Sequence, residues 1–331
     1  MHINSFTPQT NFPIQSNSKK DNIAFCGVPT QFSQELKNYA SGLHSEKAVE
    51  NNLVKMFKEM ISKIIKPENF QGAGEYGAVY KIDDEFVIKK LHGQKDDISG
   101  FELNENPLLK KFKTFYGDYV AKVNGIKILK NAATSGDTLS AGVKDGLEHS
   151  WEKINYYRDV YLKRFTQLPQ EAFDDVASDF KTVYSMNKSF DTINPNNFIA
   201  DGNRIKILDD LVVPNDKFFN SLAGMVKVFI TSLDRNTRAD FDILAVGSRR
   251  NLLRKIILAG EKNELNFGST IAEKEELNHS LALCDIQIPW RDVQADLCNL
   301  RRRYPNMEER LKKVDEYISE LEDYSYNPFM Y

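Results

Sequence analysis

Cysteine is scarce in this sequence of 331 residues, which has only Cys26, Cys284 and Cys298, far apart along the chain. An odd number of scattered cysteines excludes a disulfide scaffold and a zinc ribbon, and it fits a reducing compartment such as the cytoplasm. The five histidines are equally dispersed. The sequence therefore offers no cluster with metal-ligand spacing.

The sequence also lacks a long apolar run and a strong charge of either sign. No stretch approaches the roughly 18 apolar residues that a membrane-spanning helix requires. The 44 Lys and Arg residues nearly balance the 47 Asp and Glu residues, for a formal net charge of −3. This balance argues against nucleic acid as a partner. At roughly 100–200 residues per domain, the length fits two domains or one two-part unit with an appendage.

Residues 1–30 differ in composition from the rest of the chain. They are rich in Asn, Gln, Ser and Thr, and the first acidic residue is Asp21. Without a sustained hydrophobic period they predict a disordered leader, and they lack the apolar core of a secretory signal peptide. Unstructured leaders of this composition also resemble the export signals of bacterial effectors. The sequence thus leaves open a cytoplasmic location and export into a host cell.

Hydrophobic periodicity predicts a helical extension followed by a small sheet. Residues 31–66 carry an apolar stripe at three- and four-residue spacing, and Pro67 ends that helical pattern. Short apolar runs separated by turn signals then predict antiparallel hairpins. These runs cover residues 79–82, 86–91, 119–123 and 126–129. A helix is expected between the two hairpins, over residues 96–115, although Pro107 interrupts it.

Beyond residue 132 the pattern becomes mainly helical. A stretch over residues 133–146, rich in Gly, Ser and Thr, predicts a connector. Helices are expected over residues 151–165 and 169–186, the second with a clear apolar face. A hairpin is expected over residues 197–208, and further helices follow to about residue 324.

A glycine-rich segment is the first that carries chemistry. Gly72, Gly74 and Gly77 are spaced so that backbone N–H groups could approach phosphate oxygens without a Cβ in the way. A dinucleotide-binding loop of this spacing would open a helix. Here the loop is followed by a strand that starts near Val79, then a turn and a second strand. That order is typical of a kinase phosphate loop.

Lys89 lies in the middle of the second of these apolar strands. Burying its ammonium without a negative partner would be costly. Glu102 and Glu105 both fall in the helix expected over residues 96–115, and each is a candidate carboxylate for Lys89. Glu105 has the better apolar pattern after it, whereas Glu102 is farther from Pro107.

A third segment supplies hard oxygen ligands. Asp191 lies five residues before Asn196 and six before Asn197, and Asp209 follows the next predicted hairpin. A carboxylate and an amide oxygen are ligands that suit Mg²⁺, which keeps its other positions for phosphate and water. An additional carboxylate beside the γ-phosphate could accept the proton of an attacking hydroxyl.

In this order along the chain, the three segments resemble the protein-kinase-like superfamily. The resemblance implies an α+β, bilobal fold. A small antiparallel N-lobe with one helix would cover residues 67–132 and end in a hinge near residues 129–132. A mainly helical C-lobe would cover residues 133–331.

The resemblance also implies ATP and Mg²⁺ as cofactors. Lys89, paired with Glu102 or Glu105, would contact the phosphates, and Asp191 would orient the acceptor hydroxyl. The nucleotide would contact the glycine loop and two apolar side chains, and the metal would take an aspartate with one of two neighbouring asparagines. The nucleotide-binding residues are Gly72, Gly74 and Gly77 of the loop and the apolar residues Val79 and Leu129. The metal ligands are Asp209 and either Asn196 or Asn197.

Two departures from the family pattern are evident. Ser189-Phe190 stands where the family has His-Arg, and Asp210-Leu211 replaces Phe-Gly, with no recognisable activation segment after it. In this the chain resembles compact effector-type kinases and aminoglycoside phosphotransferases. We expect transfer of the ATP γ-phosphoryl group to a hydroxyl, on protein Ser/Thr or on a small molecule. A pseudokinase that binds nucleotide or a protein partner without catalysis is the alternative.

Overall fold

The computed structural model describes residues 30–40, 47–73, 77–93, 102–104, 111–123, 125–132, 163–194, 197–231 and 246–324. Several sequence predictions fall outside these ranges. They are nearly all of the leader, the connector over residues 133–146, most of the helix over residues 151–165, and the candidate residues Gly74, Glu105 and Asn196.

The chain forms a mixed α+β structure whose first described part is built on one antiparallel sheet. The sheet has six strands in the order β1-β2-β3-β6-β5-β4. Four of them confirm the predicted apolar runs, and β1 and the two-residue β4 are the two edge strands. The strands are β1 (Phe70–Ala73), β2 (Gly77–Lys81), β3 (Phe86–Leu91), β4 (Glu102–Leu103), β5 (Tyr119–Val123) and β6 (Ile126–Lys130).

Two helices cover one face of this sheet. The stripe predicted over residues 31–66 forms α1 (Thr30–Ala40) and α2 (Lys47–Ile64), and a 3₁₀ turn begins at Pro67. Because side chains alternate along a strand, Phe86 and Ile88 share the covered face while Lys89 points to the other. Buried side chains of both helices and the sheet form one hydrophobic cluster, which includes Phe32, Leu36, Leu53, Phe57, Phe86, Ile88 and Val120. We call α1, α2 and β1–β6 the sheet region.

The second part, which we call the helical region, contains a larger core. Its helices are α3 (Lys163–Gln167), α4 (Gln170–Ser185), α5 (Leu222–Val226, continued by a π-helix over Lys227–Thr231), α6 (Val246–Lys262), α7 (Ile271–Leu283), α8 (Trp290–Arg303) and α9 (Met307–Tyr324). The predicted hairpin is confirmed as β7 (Phe198–Asp201) and β8 (Arg204–Ile207). The apolar face predicted for α4 is buried in the core.

The helix expected over residues 96–115 is wrong in the parts that the structure describes. Residues 102–103 form β4, and residues 112–117 form a non-helical segment, which we call the linking segment and which buries Phe112 and Phe115 in the core of the helical region. Pro107 is a poor helix-interior residue. Pairing with β5 also satisfies backbone groups at residues 102–104 that a helix would otherwise have satisfied.

The linking segment fixes the sheet region to the helical region. Phe115 forms a parallel bridge to Ile207 of β8, and the Tyr116 N–H donates to the Ile207 carbonyl over 2.7 Å. In return the Ile207 N–H donates to the Thr114 carbonyl over 2.8 Å. These bonds place the end of β8, and hence the residues that follow it, directly against the linking segment.

Candidate functional site

One face of the sheet carries a row of residues in register across its six strands, and four of them have charged side chains. Residues directly opposite each other in neighbouring strands place their side chains on the same face. The register aligns one residue from each strand, and most of the sheet-borne candidates from the sequence fall in this row. From one edge to the other the row is Gly72, Val79, Lys89, Lys127, Lys122 and Glu102.

Lys89 of this row contacts the residue just beyond β8. Its Nζ donates to Oδ1 of Asp209 over 2.8 Å, and about one fifth of the Lys89 side chain is exposed. The ammonium is thus partly buried and paired, as its place in an apolar strand requires. The structure brings together these two candidates, which are 120 residues apart in sequence.

The backbone at Asp209 adopts a conformation that few residues favour. Its φ is 68°, in the left-handed region, where aspartate is among the better tolerated residues. The Asp209 backbone also packs against Gly117. A Cβ added at Gly117 would meet the Asp209 carbonyl oxygen at 1.5 Å, so only glycine fits there. Gly117 therefore helps to set where the Asp209 carboxylate lies.

Asp191 lies in the loop before β7, and both of its carboxylate oxygens accept hydrogen bonds. Oδ1 accepts from the Ile193 backbone N–H over 3.0 Å, and Oδ2 accepts from Nδ2 of Asn197 over 3.1 Å. Burial raises the pKa of the Asp191 carboxyl above its usual range, and the nearby negative charge of Asp209 raises this pKa further. The two aspartates thus lie within electrostatic reach of each other.

The residues before Asp191 anchor it to the core. Ser189 exchanges both backbone hydrogen bonds with Val212. Phe190 is buried and packs with three other rings, those of Phe112, Phe115 and Phe180. Ser189 and Phe190 thus have a packing role in this chain.

Of the two asparagine candidates, the structure describes Asn197. It is buried, its side chain contacts Asp191, and its backbone carbonyl accepts from the Leu208 N–H over 2.7 Å. That bond ties the start of β7 to the residue before Asp209. Asn196 lies outside the described residues.

The prediction that Glu102 is the carboxylate partner of Lys89 is wrong. Glu102 lies at the far end of the row, where its Oε2 is 3.0 Å from Nζ of Lys122 and its Oε1 accepts from the Tyr119 hydroxyl over 3.0 Å. The hydrogen bond from Lys122 is the main reason that the pKa of Glu102 is lowered. Edge strand β4 fixes this position, which Lys127 and Lys122 separate from Lys89.

The described nucleotide-binding candidates lie on the same side of the sheet. Val79 is directly opposite Lys89, and Leu129 is two residues along β6 from Lys127 and therefore on the same face. A Cβ at Gly77 would come within 2.4 Å of the Lys90 carbonyl oxygen. Close approach to β3 alone therefore explains the glycine at position 77.

Sequence reasoning missed two features of the site. The first is the pair formed by Lys127 and Asp210, with 2.5 Å between Nζ and Oδ2. In the sequence, the only indication of this pair is that Lys127 lies two residues before Leu129 in a half-buried strand, so that both side chains leave the same face. The second is Asp179 of α4, which is buried and accepts from the backbone N–H groups of Lys113 and Thr114 and from the Thr114 hydroxyl.

Asp179 could have been suspected from the sequence. It lies three residues after Val176 and four before Val183, on the apolar face of α4. An acidic residue at such a position needs donors in the core, and the linking segment supplies them. Asp179 thus holds the linking segment, which in turn contacts Asp209 through Gly117.

Among the described residues, no group of three or more His, Cys, Asp or Glu side chains is arranged to hold a metal ion. An Mg²⁺ ion bound with a nucleotide needs only one or two protein carboxylates, because phosphates and water complete its shell. The Asp209 carboxylate and the Asn197 amide oxygen are donors of the kind that such an ion takes. In the part of the chain that the structure describes, no helix has the length and apolar character of a membrane span.

The chain matches no protein-family model. Comparison with curated proteins found no significant match, and comparison with solved structures found none either.

Proposed function

We propose that this chain is an ATP- and Mg²⁺-dependent phosphotransferase with a protein-kinase-like architecture. The six-stranded sheet would form the N-lobe over residues 67–132, with α1 and α2 as the helical extension before it, and the helical region would be the C-lobe within residues 133–331. The β1-β2-β3-β6-β5 order of the sheet and the chain order of the site residues support this assignment. A cytoplasmic location and export into a host cell would both supply ATP and Mg²⁺.

The observation that carries the proposal is that four polar side chains from two distant segments, β3 and residues 191–209, lie close together. The Lys89 ammonium meets the Asp209 carboxylate, and the Asp191 carboxylate meets the Asn197 amide nearby. A cation for phosphate, hard oxygen ligands for a metal and a further carboxylate are the groups that phosphoryl transfer requires. Resemblance in sequence order alone would not require these groups to meet in space.

Each residue would have a separate task. Lys89 would leave Asp209 to hold phosphate oxygens of ATP, and Asp209 and Asn197 would hold Mg²⁺. Bound Mg²⁺ would neutralise charge on the phosphates. A carboxylate oxygen of Asp191 would accept the proton of the acceptor hydroxyl while the hydroxyl oxygen bonds to the γ-phosphorus and the bond to the β–γ bridging oxygen breaks, leaving ADP. The raised pKa of Asp191 makes it a better base than an exposed aspartate.

The acceptor we propose is a protein Ser/Thr hydroxyl, with a small-molecule hydroxyl as the alternative.

The packing of Ser189 and Phe190 holds Asp191 without an arginine that would need a phosphorylated loop. This supports activity that does not depend on loop phosphorylation.

The test uses the full chain with γ-labelled ATP, Mg²⁺, casein and small hydroxyl compounds as acceptors. Asp191→Asn is expected to lower turnover by about 10²–10⁴-fold, because an amide does not accept the proton. The variant also loses one of the two hydrogen bonds that Asp191 accepts, so ATP binding is measured alongside and should fall by much less than turnover. Asp216→Asn, an exposed site away from these contacts, is the matched control.

Two results would contradict the proposal. ATP binding without turnover on any acceptor would indicate a pseudokinase-type binding module. Label transferred from the α-position of ATP would indicate transfer of AMP.

A further inference from the structure

Lys89 has a second lysine directly opposite it in the neighbouring strand. Lys89 of β3 and Lys127 of β6 are register partners, so their side chains leave the same face of the sheet with Cβ atoms about 5 Å apart. Like charges in this arrangement destabilise a sheet unless other groups compensate them. The pair of lysines therefore has a cost that something on this face must offset.

Two consecutive aspartates supply that compensation. Asp209 pairs with Lys89 at 2.8 Å, and Asp210 pairs with Lys127 at 2.5 Å. Both carboxylates come from the helical region, whereas both ammonium groups come from the sheet region. The structure thus has two parallel ion pairs side by side between the two regions.

The two members of the Lys127–Asp210 pair differ in their access to water. About one quarter of the Lys127 side chain is exposed, against about half of the Asp210 side chain. Asp210 can therefore be rehydrated at little cost when it leaves the pair. Lys127, which is more enclosed, gains most from a replacement anion at the same place.

We propose that Lys127 is a second phosphate-binding lysine, which exchanges Asp210 for an oxygen of the nucleotide polyphosphate when ATP binds. The inference rests on the proposed function for the identity of the ligand. The triphosphate of ATP carries more negative charge than Mg²⁺ and Lys89 together balance, and the Lys127 ammonium lies on the same face of the sheet as Lys89. Asp210 then acts as an internal competitor of the polyphosphate.

Lys122, the third lysine of the row, serves as the matched control. It is in register with Lys127 but pairs with Glu102 of its own sheet and lies over the Tyr119 ring. Its ion pair is therefore independent of the helical region. Lys122→Met removes the same charge from the same face and should leave ATP affinity unchanged.

The experiment measures binding of Mg-ATP, inorganic tripolyphosphate and adenosine to the full chain by calorimetry. Lys127→Met should weaken binding of ATP and of tripolyphosphate about tenfold, with adenosine affinity unchanged. Asp210→Asn should strengthen ATP binding severalfold because the competing carboxylate charge is gone. Since the two variants change affinity in opposite directions, general damage to the fold cannot produce both results.

Equal ATP affinities for Lys127→Met and Lys122→Met would overturn the inference, as would equal losses for ATP and adenosine. Failure of the proposed function has a different signature. If the wild-type chain binds ATP through Lys127 but transfers no phosphoryl group, the binding inference stands and the proposed activity falls. If it binds neither ATP nor tripolyphosphate, both fall.

Discussion

The cations and the acids of the site are held in different ways. Lys89 and Lys127 lie on regular, paired strands, where register and alternation fix their direction. Asp191 and Asp209 lie on irregular backbone beside β7 and β8, and Asp209 has a φ of 68°. The sheet region thus presents its charges through repeating geometry, and the helical region presents its charges through individual contacts.

This difference locates the sensitive positions of the molecule. A strand side chain keeps its direction as long as the ladder is intact, so neighbouring surface changes should matter little. The position of an aspartate on irregular backbone depends on the tertiary contacts that hold that backbone in place. Here the linking segment does so, held on one side by Asp179 and packed against Asp209 through Gly117. Three substitutions test the comparison.

Gly117→Ala should have the largest effect. The new Cβ would overlap the Asp209 carbonyl oxygen. That oxygen belongs to the backbone, so it does not rotate aside as the end of a side chain would. We expect a loss of about 3 kcal/mol in the free energy of unfolding, measured by urea denaturation, and weaker ATP binding. Gly247→Ala in α6 is the control, because a Cβ there meets nothing within 4 Å. Equal stability of the two variants would refute the role assigned to Gly117.

Asp179→Ala should have an intermediate effect. It leaves buried donors of Lys113 and Thr114 without an acceptor, but it also removes a carboxylate whose pKa burial raises. We expect a loss of about 2 kcal/mol in the free energy of unfolding. Asp175→Ala is the control: Asp175 lies on the same helix and contacts Lys113 at the surface, so its loss should cost under about 0.5 kcal/mol.

The pH dependence separates the two parts of the Asp179 effect. Since its folded-state pKa is raised, the folded protein binds the proton more tightly than the unfolded chain does. Wild-type stability from this group is therefore greatest below the ordinary aspartate range and falls as pH rises through the raised pKa. The difference in the free energy of unfolding between wild type and Asp179→Ala should therefore shrink as pH rises. A difference that grows with pH would contradict this account.

Glu102→Gln should have the smallest effect. Its ion pair with Lys122 is exposed and lies at the edge of the sheet, away from Lys89. Neither the urea midpoint nor ATP affinity should change measurably. If Glu102 were the partner of Lys89, the variant would instead change ATP affinity, and that result would contradict the comparison between the two regions.

The strands were predictable because their signal is local. Short apolar runs bounded by turn signals predicted β3 and β6, and alternation along the strand then places Lys89 on one face and Ile88 on the other. The helix over residues 96–115 was not predicted correctly in its described parts. Residues 102–103 pair with β5, and Phe112 and Phe115 pack in the core of the helical region. Both are long-range contacts that a local period does not report.

The sequence by itself determined the order of the chemistry-bearing residues, the strands that short apolar runs predict and the place of Lys89 within one of them. Only the tertiary structure decided which carboxylate meets Lys89, because Glu102 and Asp209 are both acidic and differ in where the fold takes them. It also decided that Lys127 stands beside Lys89. Alternation along a strand is a property of neighbouring residues, whereas register between strands and contact across 120 residues are properties of the folded chain.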